Sequence, residues 1–382
     1  MEEQFLDICP YSDEEAVKAF GELAKHPAVP VISKAIFPNE RITFLSDKLK
    51  NIGSIDEFQQ VIMTKAVDWV LNNTIGNFSY DGFSNILSVQ GKFLMISNHR
   101  DIIIDPALTQ YVLAQNGVSM SEICVGDNLL SSPTVEKLLR SNRMIKVIRG
   151  ISARELYLSS QLLSKYIRQT ITSGKNSVWI AQRQGRTKNG FDETEQGLVK
   201  MFDMSGTGTF QENYSELNLI PLSISYEYEP CDIRKARELL ISRTQKYVKG
   251  PKEDMHSIVS GIRQWKGNVH LNIGTPLTAE EIGTAAGFDK NDRYQALMQY
   301  IDKRVVEGYK LWKTNFIAYD MVYGTTKYSD RYTAEDREKF IAYTEHKLKK
   351  VERTLNREDL RDIFLRIYSN PVENKEIKKA EI

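Results

Sequence analysis

Apolar and polar positions change their period twice along the chain. Over residues 1–85 they recur at helical spacing. Ala16, Val17, Phe20, Leu23 and Ala24 follow Ser12 and Asp13, either of which can cap a helix. Phe58, Val61, Ile62, Ala66 and Val70 line one face of a second helix over 54–70. The run Asn72-Asn73-Thr74-Ile75-Gly76-Asn77 breaks the pattern and marks a boundary. From 86 to 277, short apolar runs alternate with helical patterns. The runs lie at 93–97, 123–125, 144–148, 178–181, 217–226 and 269–273; the helical patterns lie near 107–115, 132–141, 152–173, 192–204 and 232–248. This alternation predicts an α/β fold, a largely parallel or mixed sheet flanked by helices, with the direction of 217–226 left open. From 278 to 382 the pattern is helical again. Thr278, Glu280 and Glu281 start a helix, and Tyr294, Leu297, Ile301, Val305 and Trp312 form a stripe. The last stretch, from Lys375 to Ile382, reads as frayed. The expected organisation is a helical N-terminal region (1–85), an α/β core (86–277) and a helical C-terminal region (278–382).

Composition narrows the function without naming it. Of 382 residues, 41% are apolar and 26% charged, which excludes a disordered or collagen-like chain. Lysine and arginine number 51 against 50 acids, so a bulk electrostatic nucleic-acid binder is excluded and only a local basic pocket is left. The three cysteines, Cys9, Cys124 and Cys231, are too few and too far apart for a disulfide scaffold, and fit a reducing compartment. The acidic start and the absence of an apolar run after it give no expectation of a secretory leader. No apolar run is long enough to span a bilayer, so the expected protein is soluble or sits on a membrane surface.

Four stretches carry candidate chemistry. In the first, an apolar strand runs into Ser97-Asn98-His99-Arg100-Asp101, then three isoleucines, then Asp105-Pro106. The carboxyl end of a parallel strand is where α/β sheets hold ligands. A histidine there acts as a general base when a carboxylate fixes its tautomer, and both Asp101 and Asp105 qualify by type. The second stretch is Gln182-Arg183-Gln184-Gly185-Arg186-Thr187-Lys188-Asn189-Gly190, again after a strand. Guanidinium groups pair with phosphate oxygens and glycine lets the backbone approach an anion, so this is a candidate phosphate or carboxylate site. It is no P-loop, because no Gly-Lys-Ser/Thr follows. The third is Lys146-Val147-Ile148-Arg149-Gly150. The fourth is Leu219-Ile220-Pro221-Leu222-Ser223, where the proline marks an edge or a bulge. A Gly-x-Ser-x-Gly elbow is missing. The five histidines, His26, His99, His256, His270 and His346, show no metal-protease spacing, so no metal site is expected.

In this order, the four stretches resemble the motif blocks of the glycerolipid acyltransferase superfamily, whose best-known members are the 1-acylglycerol-3-phosphate O-acyltransferases. Ser97-Asn98-His99 with Asp105-Pro106 resembles the first block, Arg149 the second, Gly185 to Gly190 the third and Pro221 the fourth. Gly274-Thr275-Pro276-Leu277 resembles an element that often follows. The resemblance covers about 90–277. Two departures mark a distant branch. Five residues separate His99 from Asp105 where the family has four, and Gln184 stands where the family has glutamate.

The resemblance implies transfer of a fatty acyl group from acyl-CoA or an acyl carrier protein thioester to the hydroxyl of a lyso-lipid such as lysophosphatidic acid, in membrane lipid biosynthesis. It implies His99 as base, oriented by Asp105 or else Asp101. Arg149, Arg183, Gln184, Gly185, Arg186 and Lys188 would hold the acceptor. No cofactor is implied beyond the donor thioester. The implied partners are donor, acceptor and membrane surface, with no nucleic acid, and the implied location is cytoplasmic, peripheral on the inner face of the membrane. Two other readings share these residues: a non-catalytic lipid- or partner-binding protein on the same fold, and a thioester or phosphoester hydrolase.

Overall fold

The computed structural model describes residues 2–130, 132–149, 152–250 and 252–380. Its centre is a mixed seven-stranded sheet. The strands are β1 (Asn77–Asp81), β2 (Leu94–Ser97), β3 (Glu122–Gly126), β4 (Met144–Val147), β5 (Val178–Ala181), β6 (Leu219–Tyr226) and β7 (Asn268–Ile273), in the order β1-β7-β6-β2-β5-β3-β4. The five strands from β6 to β4 in that order run parallel; β7 is antiparallel to β6, and β1 is parallel to β7.

Side-chain alternation sends the two faces of the sheet to two cores. Leu94, Ile96, Val178 and Ile180 face the helices Ala153–Thr172, Gln196–Asp203 and Asp292–Glu307. Met95, Trp179, Ile220 and Leu222 face the helices Thr64–Thr74 and Ile104–Gln115. Separate apolar clusters form in the N-terminal helices, around Phe20 and Phe58, and in the C-terminal ones, around Phe340, Phe364 and Tyr368.

The structure departs from the sequence expectations at several points. β1 lies inside the region read as helical. Its residues are half-exposed at the sheet edge, so it lacks the apolar run that reveals an inner strand. Pro221 is on an inner strand, β6, and not at an edge. It falls opposite Gly274, one step beyond the β6–β7 pairing, where Gly274 N–H donates to the Pro221 carbonyl at 2.9 Å and a return bond is dispensable. A Cβ at residue 274 would lie 2.8 Å from that carbonyl oxygen, so only glycine allows the approach.

The helix read over 54–70 holds an inserted π segment, Gln59–Met63, between Ile55–Phe58 and Thr64–Thr74. The stripe that runs to Trp312 stops at Gly308, and Trp312 precedes a separate helix, Lys313–Tyr323. The last helix, Arg357–Ala380, continues past the point read as frayed. Lys375 Nζ donates to the carbonyls of Glu307 and Tyr309 at 2.9 and 2.7 Å. Gly150, Glu381 and Ile382, which belong to stretches named above, lie outside the described residues.

Candidate active site

β2 ends at Ser97, and the next four residues leave the sheet at its carboxyl edge. Asn98 is wholly buried and stitches the loop to β6: its Oδ1 accepts from Ile224 N at 2.8 Å, and its Nδ2 donates to the Ile224 carbonyl at 3.1 Å and to Asp192 Oδ2 at 2.8 Å. The backbone then bends so that Asp105, in the first turn of the helix Ile104–Gln115, meets the loop that precedes it. His99 Nδ1 lies 3.0 Å from Asp105 Oδ2. The same oxygen accepts the backbone N–H groups of Arg100 and Asp101 at 2.6 and 2.8 Å, and Tyr226 Oη donates to Oδ1 at 2.6 Å. Asp105 thus meets four potential donors in the first turn of the helix. It fixes the His99 tautomer with the proton on Nδ1, which leaves Nε2 as a lone-pair acceptor. Nε2 has no partner among the described residues.

Asp101 has a different task. Its Oδ1 accepts from the N–H groups of Ile103 and Ile104, both at 2.9 Å, and so caps the helix start. Its Oδ2 has no hydrogen-bond partner and presses on Gly261, where a Cβ would lie 2.0 Å away. Burial, and then the neighbouring Asp105, push the Asp101 carboxyl above its ordinary range. Asp101 therefore does not serve His99; the extra residue in the spacing is absorbed by the loop.

Behind the loop is a buried charge network. Arg100 donates through Nε and Nη2 to Asp192 Oδ2 at 3.1 and 2.7 Å, and through Nη1 to Glu229 Oε2 at 3.4 Å. Lys235 Nζ joins Glu229 Oε1 at 2.6 Å to the Arg100 carbonyl at 2.7 Å, and Tyr309 Oη donates to Asp192 at 2.6 Å. Two cations face two acids, all under a tenth exposed. Burial raises the Asp192 pKa, but the Arg100 guanidinium, Asn98 and Tyr309 outweigh it and hold the group below the usual carboxylate range. These partners come from four separate loops and helices, and no sequence pattern signals them. The Thr187 N–H donates to the His99 carbonyl at 2.7 Å, which ties the histidine loop to the arginine loop after β5.

His99 lines a cavity of about 690 Å³. Its rim is polar and largely basic: Arg149, Arg183, Gln184, Gly185, Arg186 and Lys188 all line it. Gln184 N–H donates to Glu195 Oε2 at 3.0 Å, and Arg183 Nη2 is 3.9 Å from Glu195 Oε1. Lys188 pairs with Glu238, whereas Arg186 Nη1 is buried without a partner. Gly185 takes a φ of +75°, and a Cβ there would meet nothing within 4 Å, so it is the left-handed turn that requires glycine. The site thus gathers His99, Asp105 and all the basic residues picked out by sequence, and sets Asp101 aside as a helix cap.

Much of the remaining wall is apolar, although Gln110, Asn128, Glu195 and Asp254 also line it. Ala107, Met120, Ile123, Met144 and Trp179 line it, together with Met63 and Val67 from the N-terminal helices. Trp179 meets His99 edge-on, with ring centroids 5.9 Å apart. The π segment supplies Gln59, whose Nε2 donates to Asn142 Oδ1 at 3.1 Å; both residues line the cavity. The contribution of the N-terminal helices was not legible as function, although π insertions often accompany sites. Among the described residues, no cluster of three or more His, Cys, Asp or Glu is placed to hold a metal ion.

Fold and site together define an α/β protein that presents an acid-oriented histidine to a basic-rimmed, apolar-walled cavity. Neither a family model nor a curated protein matches the chain. Among solved structures, the chain is similar to the 1-acyl-sn-glycerophosphate (LPA) acyltransferase PlsC from Thermotoga maritima, with 15% sequence identity, 77% of this chain and 92% of that chain covered, and a TM-score of 0.38. At that identity and TM-score the likeness says nothing of what this chain does, and the chemistry is argued from its own residues.

Proposed function

We propose that the protein is an acyl-thioester-dependent O-acyltransferase that acts on a polar lyso-lipid. The observation that carries this reading is the free Nε2 of a carboxylate-oriented histidine in a cavity with a basic rim and an apolar wall. His99 Nε2 takes the proton of the acceptor hydroxyl as its oxygen attacks the thioester carbon. The new C–O bond forms and the C–S bond breaks; the departing thiolate takes the proton from the imidazolium. Asp105 orients the ring and favours the imidazolium as it develops. Because the thioester is already activated, the chemistry needs no enzyme nucleophile.

Arg149, Arg183, Arg186 and Lys188 supply positive charge for an acceptor phosphate or carboxylate, with Gly185 giving backbone access and Gln184 a neutral hydrogen-bonding group at the rim. The apolar wall takes the fatty chain, delivered by acyl-CoA or an acyl carrier protein. Lysophosphatidic acid and related lyso-lipids fit this division, in membrane lipid biosynthesis at the cytoplasmic face. Among the described residues, no helix is long and apolar enough to cross a membrane, so the proposed association is peripheral.

The test is release of free thiol from acyl-CoA in the presence of lysophosphatidate. His99→Ala is expected to lower kcat by about 10²–10⁴-fold, the usual worth of a positioned base, while circular dichroism stays unchanged. Undiminished turnover in that variant overturns the base assignment. Thiol release by the wild type that does not depend on acceptor would instead identify a thioester hydrolase.

A further inference from the structure

Two segments beside the cavity expose large apolar side chains. The helix Ala153–Thr172 opens with Leu156, Tyr157 and Leu158, each more than half exposed. Across the cavity lining, the helix Glu253–Arg263 exposes Met255 and Val259, and the loop before it leaves Val248 80% exposed. Leu156 and Met255 also line the cavity, so this apolar patch is continuous with its wall.

The charges around the patch are asymmetric in how they are used. The three acids are engaged within the protein. Glu155 accepts from Ser152 N and Oγ, both at 2.8 Å. Glu253 accepts from Tyr247 Oη at 2.8 Å and Gly250 N at 3.1 Å, and Asp254 from Lys249 at 2.7 Å and Asn128 at 2.9 Å. The exposed cations Arg149, Arg154, Lys246 and Lys252 form no ion pair with the described residues. What meets this surface therefore carries negative charge and accepts apolar side chains.

We infer that this patch docks the protein on an anionic lipid bilayer, with the cavity opening into the lipid; the inference rests on the acyltransferase reading and names the surface through which its substrates enter. Three consecutive residues on a helix point about 100° apart. Leu156 thus lines the cavity, while Tyr157 and Leu158, which do not, are exposed beside it. Tyrosine suits the headgroup level, leucine the acyl boundary, and each basic residue near an anionic surface adds attraction.

The experiment is sedimentation with vesicles of phosphatidylcholine alone and of phosphatidylcholine with 30% phosphatidylglycerol. The full chain is expected to bind the anionic vesicles and to release as salt rises. Tyr157→Ser/Leu158→Ser and Lys246→Glu/Lys252→Glu are each expected to weaken vesicle binding at least tenfold. They are expected to lower turnover of vesicle-borne acceptor to match, and to leave turnover of a monomeric short-chain acceptor unchanged. A control pair, Val31→Ser/Ile32→Ser, alters exposed apolar residues that do not line the cavity and is expected to leave binding intact. Unchanged vesicle binding in the patch variants, or loss of binding in the control pair instead, overturns the inference. Retained vesicle binding together with a raised KM for an acyl carrier protein donor in the patch variants would make the patch a carrier site and likewise overturns the inference. Failure of the acyltransferase reading is separately visible as absent turnover of the monomeric acceptor by the wild type.

Discussion

His99 Nδ1 and Asp105 Oδ2 are 3.0 Å apart across a loop of five intervening residues, and that oxygen also receives two backbone N–H groups of the same loop. The carboxylate therefore shapes the loop and orients the ring at once. Asp105→Asn keeps the size but turns one acceptor into a donor facing other donors. It is expected to lower kcat by about 10²–10⁴-fold, comparable to loss of the base. Asp101→Asn keeps the oxygen that caps Ile103 and Ile104, and is expected to retain activity within about tenfold. A steady-state comparison of the two variants decides; a larger loss in Asp101→Asn would reverse their roles.

Arg100→Met removes the cation that faces Asp192 and Glu229 in the buried network. Two acids then lose a partner in a site closed to water. The expected cost is about 3–5 kcal/mol of unfolding free energy, measured by denaturant titration. A loss below 1 kcal/mol would mean that Lys235, Asn98 and Tyr309 satisfy both acids alone.

Lys266 is fully buried, with Nζ held by Thr74 Oγ1 at 2.9 Å and by the carbonyls of Gln264 and Ile262 at 2.8 and 3.3 Å. Burial pushes its pKa down to about 8 from an ordinary 10.5. Between those values the unfolded chain binds more protons than the folded one, so stability rises with pH through this window. Below pH 8 the full penalty of a buried charge is present. Relative to Lys266→Met, the wild type is expected to gain on the order of 2 kcal/mol between pH 7.5 and pH 10. Denaturant titrations of both proteins across that range measure the difference, and a flat difference would show that the lysine keeps its ordinary pKa.

Ala107 stands on the helix that begins beside Asp105 and lines the apolar part of the cavity. Ala107→Leu fills that space. With acyl-CoA donors of increasing length, kcat/KM for long chains is expected to fall at least tenfold against short ones, the scale of a few methylenes in an apolar pocket. Equal loss for all lengths would put the fatty chain elsewhere.

What the sequence made legible was local. The apolar runs of β2, β5 and β6 and the strand-end position of His99 follow from short-range patterning, because an inner strand must be apolar wherever it lies. The choice between Asp101 and Asp105 was open in the residues themselves and needed the bend of the loop. β1 escaped because an edge strand such as Asn-Phe-Ser-Tyr-Asp is half-polar. Pro221 was read as marking an edge or a bulge, whereas its strand is inner by order and its missing N–H points past the end of β7. Tyr226 and Asp192 could not be found at all. Each reaches the site through a tertiary contact more than 90 residues away in sequence, and such contacts leave no period behind.

That distance has a consequence for how the protein comes into being. Arg100 is made 129 residues before Glu229, and Tyr309 and Tyr368 follow later still. At a synthesis rate of about 5–20 residues per second, the histidine loop waits roughly 5–18 s for its first distant acid, Asp192, 92 residues on. During that interval the emerging chain already carries the reactive histidine but none of the far-off groups that hold its loop in shape. The active site is thus completed well after its histidine is made: His99 and Asp105 precede Glu229, Tyr309 and Tyr368, which close the network behind their loop.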